Sequence, residues 1–165
     1  MQMRKTATGV LQLLAVYMAG VGIGKISATL KGSAREKADK FYSYYTILNE
    51  WMKIRERGRS LAEFFSDRGI RTIAVYGIAD MGRHLQKELE GSGVEIIYAI
   101  DRNAGNVRAA MDVYSLEDEL PLVDAVVVTV TYDFDNIKKM LERQVKCPII
   151  SLEEVVLDFE LPRVV

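Results

Sequence analysis

The run Ile73 to Gly82, IAVYGIADMG, followed at Glu95 to Asp101 by EIIYAID, constrains the fold more than any other stretch of this chain. IAVY reads as a buried strand, Gly77 as a sharp reversal, the residues after it as a helix, and EIIYAI as a second strand closed by an acid. Strands joined through a helix run parallel, because a hairpin loop is too short to hold one. Gly77 stands where strand passes into helix, a place where a positive φ is often needed and only glycine has no steric cost. Gly82 falls in the first turn of a helix with Met81, Leu85 and Leu89 on one face, so it lets that face press closely onto the sheet. Gly91, Ser92 and Gly93 supply the helix stop.

Strand, glycine turn, helix and acid-tipped strand are the parts of a Rossmann-type nucleotide pocket, with Asp101 about twenty residues past the turn, where an acid accepts hydrogen bonds from a ribose. The candidate binding residues are Gly77, Ile78, Ala79, Asp80, Met81 and Gly82 on the turn, Asp101, Arg102 and Asn103 after the second strand, and Thr131 beyond a later one. Two departures weaken the dinucleotide version. Ala79 puts a Cβ where a pyrophosphate approaches the backbone, and Asp80 at the helix start can cap the free amides itself and repel a phosphate there. Arg83 or Arg102 would offset that charge. Three readings stay open: a nucleotide or nucleotide-sugar ligand, NAD(P), or a turn that only connects and caps a parallel sheet.

FYSYYTILNEWMKIRERGRSLAEFF, IRTIAVYGIADMGRHL, IIYAIDRN and DAVVVTVTYDFDNIKKML with CPIISLEEVV together resemble small Rossmann-like domains found with bacterial capsular and other surface-polysaccharide biosynthesis proteins. The glycine turn of those domains is similar in form, GMGELG against GIADMG here. The resemblance covers roughly Lys40 to Val156 and is specific for the fold more than for an activity. It implies an epimerase-like or nucleotide-sugar-binding domain with Gly77, Ala79, Gly82 and Asp101 lining the pocket, and it implies no catalytic residue.

A chain of 165 residues with 49% hydrophobic content and net charge −1 holds one compact domain and an appendage, and offers no broad basic surface for nucleic acid. The single cysteine, Cys147, excludes a disulfide within the chain and reads as a small buried hydrophobe. The appendage is amino-terminal: Ala7 to Gly24 carries no charge and Ile26 to Leu30 extends its apolar character. A helix of about twenty residues spans 30 Å of hydrocarbon. Lys25, Lys31, Arg35, Lys37 and Lys40 after it, against Arg4 and Lys5 before, set the carboxyl side in the cytoplasm. The segment is therefore expected to be a single-pass anchor in the cytoplasmic membrane, in preference to a cleaved secretory signal or a buried helix. GVGIGK within it lacks the spacing of a phosphate loop, while Gly20 and Gly24 form a small-residue pair that permits close helix packing in lipid.

Between anchor and sheet, Ser33 to Arg57 has helical periodicity, with Phe41, Tyr45, Leu48 and Met52 on one face, Tyr44, Ile47, Trp51 and Ile54 widening it, and Arg35, Lys37, Lys40 and Lys53 outside. Ser60 opens a capping box with Glu63. Past Asp101, Val113 to Ser115 is a brief edge strand, Ala125 to Val130 a central strand covered on both faces, and Asp133 or Asp135 starts a helix with Ile137, Met140 and Leu141 inward. Pro148 to Ser151 is the last strand and Leu152 to Leu157 a terminal turn or helix.

The expected fold is thus α/β: a Rossmann-like open parallel sheet of about five strands flanked by helices, preceded by a long helical connector and an N-terminal apolar helix. The organisation is 1–31 anchor, 32–69 connector and 70–165 nucleotide-binding domain. No tyrosine has lysine four positions later, so the proton-exchange pair of short-chain dehydrogenases and epimerases is missing. His84, the only histidine, lies outside any metal-ligand cluster, and no GxSxG elbow occurs. The chain is not expected to be an independent catalyst or to hold a metal. The leading reading is a membrane-anchored, cytoplasm-facing module for a nucleotide-sugar or related nucleotide, accessory to surface-polysaccharide biosynthesis, with a homo-oligomer or a biosynthesis protein as partner. Its alternatives are an interaction scaffold with a degenerate pocket and an NAD(P)-dependent epimerase or oxidoreductase subunit.

Overall fold

The computed structural model describes residue 35 and residues 37–106 and 111–160. The chain divides into two compact units, 1–42 and 43–165. Of the first, residue 35 and residues 37–42 are helical; the sheet and its helices belong to the second.

Helix α1, described over 37–56, and α2 (Ala62–Ser66) come before β1 (Thr72–Tyr76), α3 (Asp80–Leu89), β2 (Glu95–Ile100), β3 (Val113–Tyr114), β4 (Ala125–Val128), α4 (Phe134–Leu141), β5 (Ile149–Ser151) and α5 (Leu152–Leu157). The five strands form one sheet in the order β3-β2-β1-β4-β5, every neighbouring pair parallel. This is a Rossmann-like α/β domain. The chain builds outward from β1 in one direction through β3 and then returns to β1's other side with β4, so β1 and β4 flank the topological switch point.

Alternation along the strands sorts the core into two faces. Ile73, Val75, Ala125 and Val127 meet Trp51, Leu61, Phe65, Leu85 and Val155 from α1, α2, α3 and α5, while Ala74, Tyr76, Val126 and Val128 meet Ile137 and Leu141 of α4. β4 is buried at all four residues, as an apolar run under helices on both faces requires. β2 carries one extra residue: pairing to β1 jumps from Ile96 to Tyr98, leaving Ile97 out of register and 40% exposed.

At the start of α2 the Glu63 half of the capping box forms, while the Ser60 hydroxyl takes the Ala62 amide in place of the Glu63 amide. The Ser60 amide donates to Glu63 Oε1 at 3.0 Å, and Ser60 Oγ accepts from the Ala62 amide at 3.2 Å. Glu88 of α3 reaches into the same corner, accepting from Ser60 Oγ at 2.8 Å, the Leu61 amide at 3.1 Å and Arg55 at 3.2 Å, with its side chain only 8% exposed.

The broad apolar face expected of α1 is only half used. Ile47, Trp51 and Ile54 are buried, but Tyr45, Leu48 and Met52 remain 67%, 40% and 60% exposed. A helix resting on a sheet buries one stripe, and α1 turns the Ile47 side inward.

The membrane anchor is corrected. Among the described residues no helix is long and apolar enough to cross a membrane. The longest of them, α1, carries Lys37, Asp39, Lys40, Glu50, Lys53, Arg55 and Glu56, each of which is costly in hydrocarbon. The segment 1–31 assigned to the anchor, and with it the expected N-terminal apolar helix, single-pass topology and membrane attachment, lies outside the described residues.

Candidate functional site

Gly77, immediately after β1, adopts φ +89°. Its amide donates to the Ile100 carbonyl at 2.9 Å, which ties the turn to the end of β2 and sets Gly77 beside Asp101. Its carbonyl accepts from Thr129 Oγ1 at 2.7 Å, and the same hydroxyl lies 3.1 Å from the Tyr76 carbonyl. A Cβ on Gly77 would stand 2.8 Å from Val130 Cγ2 and 2.9 Å from Thr129 Oγ1. One on Gly82 would press into the Gly77 carbonyl oxygen. Strands β2, β1 and β4 and the first turn of α3 thus converge on a single glycine.

Thr129 is 3% exposed, so its hydroxyl is a buried clasp between β4 and the turn. Thr129→Val is expected to lower stability by about 1–2 kcal/mol, since it strips the Gly77 carbonyl of its donor. A shift of the urea midpoint at constant slope checks this, and an unchanged midpoint would refute the clasp.

The other candidates fall into three groups. Ile78 and Met81 are 3% and 5% exposed and belong to the core. Ala79 and Asp80 are exposed; Ala79 is the N-cap of α3, with no side-chain hydrogen bond. The expectation that Asp80 caps the helix is therefore corrected: its carboxylate, 85% exposed, pairs with Arg83 at 2.7 Å in the next turn. Asp101 turns to its own loop, accepting from the Asn103 amide at 2.9 Å.

Arg102 donates from Nε to the Tyr76 hydroxyl at 3.1 Å and stands 3.5 Å from the Asp133 carboxylate. It bridges from the end of β2, past β1, to the turn after β4. That hydrogen bond to Tyr76 is the leading cause that raises the guanidinium pKa. Thr131 is buried beneath α1, its Oγ1 3.1 Å from Ser43 Oγ, and Tyr44 packs edge-on to Tyr132 with ring centroids 6.0 Å apart. Burial and the neighbouring Tyr132 raise the Tyr44 pKa.

Sequence reasoning missed Ser43, Tyr76 and Asp133 as members of this edge. The Asp133 position carried a signal, an acid at a helix start. Ser43 and Tyr76 carried none, since one read as connector and the other as strand core.

The two most spacious of the clefts described are not lined by the glycine turn, although the one beyond β4 and β5 takes in Thr131 and Asp133. One of about 650 Å³ opens beyond β4 and β5, where Asp133, Asp135, Glu153 and Glu154 outnumber Lys139, a charge balance hostile to phosphate. The second, about 670 Å³, lies between α1 and α3. Among the described residues no group of three or more His, Cys, Asp or Glu side chains is placed to hold a metal ion. No family model matches the chain, and neither a curated protein nor a solved structure shows significant similarity to it.

Proposed function

We propose that this protein is an interaction scaffold: a Rossmann-like frame whose nucleotide pocket is degenerate and whose working surface is helical. The observation that carries the reading is the state of Gly77. Its amide, a donor that a phosphate at this turn would need free, is spent inside the fold on the Ile100 carbonyl, and its carbonyl is held by the Thr129 hydroxyl. Asp80 adds negative charge at the α3 N-terminus, only partly offset by Arg83. Ser43 and Tyr44 of α1 close over Thr131 and Tyr132 on the β4 side. The scaffold is not an independent catalyst, a view supported by the missing Tyr-x-x-x-Lys pair and by the lone His84. Its setting in bacterial surface-polysaccharide biosynthesis rests on the sequence resemblance alone.

A rival reading keeps a nucleotide at Gly77, Ile78, Ala79, Asp80, Met81, Gly82, Asp101, Arg102, Asn103 and Thr131, and the adjacency of Gly77 and Asp101 favours it. Thermal melting of the full chain with nucleotide-sugars, NAD(H) and NADP(H) separates the two. No compound is expected to raise the melting temperature, whereas a binder at a hundredfold its Kd would add about 2.7 kcal/mol. A concentration-dependent rise with any one of them overturns the scaffold reading.

A further inference from the structure

Glu88 carries an acceptor that the fold leaves unused. The Ser60 hydroxyl, the Leu61 amide and Arg55 all donate to Oε1, at 2.8, 3.1 and 3.2 Å, and no donor reaches Oε2. Yet the side chain is only 8% exposed. Among the described residues no side-chain nitrogen or oxygen is both fully buried and without a partner, so Oε2 keeps an opening to the outside. Glu88 lines the α1–α3 cleft of about 670 Å³, which supplies that opening. A volume of this order suits a small molecule.

The walls of the cleft restrict what can meet that oxygen. Leu48, Trp51 and Met52 make the α1 side apolar, and Met52 brings a polarisable thioether that packs well against aromatic rings. The charges divide evenly: Arg55 is paired with Glu88 at 3.2 Å and Lys87 with Glu90 at 2.6 Å. An anionic ligand would face the bare carboxylate oxygen, and a cationic one would stand beside Arg55 and Lys87. A neutral hydrogen-bond donor meets neither penalty. We propose that the α1–α3 cleft binds a neutral aromatic small molecule whose hydroxyl or N–H group donates to Glu88 Oε2 while its ring lies against Leu48, Trp51 and Met52. The site is separate from the glycine turn and does not depend on the scaffold reading.

Phenol and anisole, which differ in the presence of the donor, test it on the full chain. Trp51 is the only tryptophan, so its indole N–H resonance in isotope-labelled protein is a single reporter in the cleft wall. Phenol is expected to shift it saturably and to bind about tenfold more tightly than anisole, because the bond that anisole lacks is one to a charged acceptor. Leu48→Gln, on a residue 40% exposed, is expected to weaken both probes about fivefold through lost apolar contact. Glu88→Gln is the sharper variant. Three donors fix its amide oxygen at the Oε1 position, which turns the NH2 group, itself a donor, toward the cleft. The two probes are then expected to bind alike.

No saturable shift, equal affinities for the two probes in the native chain, indifference to Leu48→Gln, or a phenol preference that survives Glu88→Gln overturns the proposal. A Glu88 that only holds the fold together would weaken both probes in step and leave their ratio unchanged. Should Glu88→Gln fail to fold, the two probes on the native chain and on Leu48→Gln still decide. Nucleotide binding in the melting experiment defeats the scaffold reading alone, and an unresponsive Trp51 defeats the cleft alone.

Discussion

Gly82→Ala is expected to lower stability by about 3 kcal/mol and the melting temperature by roughly 10 °C. The cost does not come from the helix, which gains propensity when glycine becomes alanine. It comes from position: the new Cβ would run into the Gly77 carbonyl oxygen, which is backbone and is pinned by Thr129 Oγ1 at 2.7 Å. Relief requires α3 to lift from the sheet, and that opens the contacts of Met81, Leu85 and Leu89, all buried. Gly105→Ala is the matched control, since nothing lies within 4 Å of a Cβ there. Thermal unfolding of both variants reads the difference. A Gly82→Ala protein melting within about 2 °C of the native chain would mean that the helix sits farther from the turn than described.

Glu88→Ala is expected to cost about 2–3 kcal/mol, a large effect for a charged helix residue. Its carboxylate serves the Ser60 hydroxyl, the Leu61 amide and Arg55 together, and α2 is only five residues long. So short a helix has little cohesion of its own and depends on the groups that satisfy its first amides. Glu88→Gln keeps an acceptor oxygen and should lose about 1 kcal/mol. Asp80→Ala removes a carboxylate that is 85% exposed in its pair and should change stability by less than about 0.5 kcal/mol. Urea unfolding of the three variants checks the ranking, and equal losses at positions 80 and 88 would contradict it.

The features readable from sequence are those that local pattern determines. The run AVVVTV announced a strand covered on both faces, and β4 is one. Met81, Leu85 and Leu89 marked the inner face of α3, and Ser60 with Glu63 marked the start of α2. Leu152 to Leu157 closes the fold as a helix with the expected limits.

Other features depend on partners distant in the chain. Ser43 and Thr131 meet across 88 positions, and nothing in FYSYY or TVTYD foretells it. Glu88 reads as a solvent-facing acid because its donors sit 27 and 28 residues earlier. The half-buried outcome at α1 was hidden for another reason: both halves of its apolar face are equally hydrophobic, and only the shape of the sheet chooses between them. At the candidate site the glycines and their neighbour Asp101 were legible. The consumption of Gly77's amide and carbonyl was not, because it is set by strand order. The span read into the uncharged run at Ala7 to Gly24 rested on composition alone.

The outermost strands of the sheet, β3 and β5, are two and three residues long. An open sheet is hazardous when its rims present long rows of unmatched amides, since another polypeptide can zip onto them. Rims this abbreviated give an incoming strand almost nothing to register against. The fold is thereby guarded against runaway polymerisation at its borders.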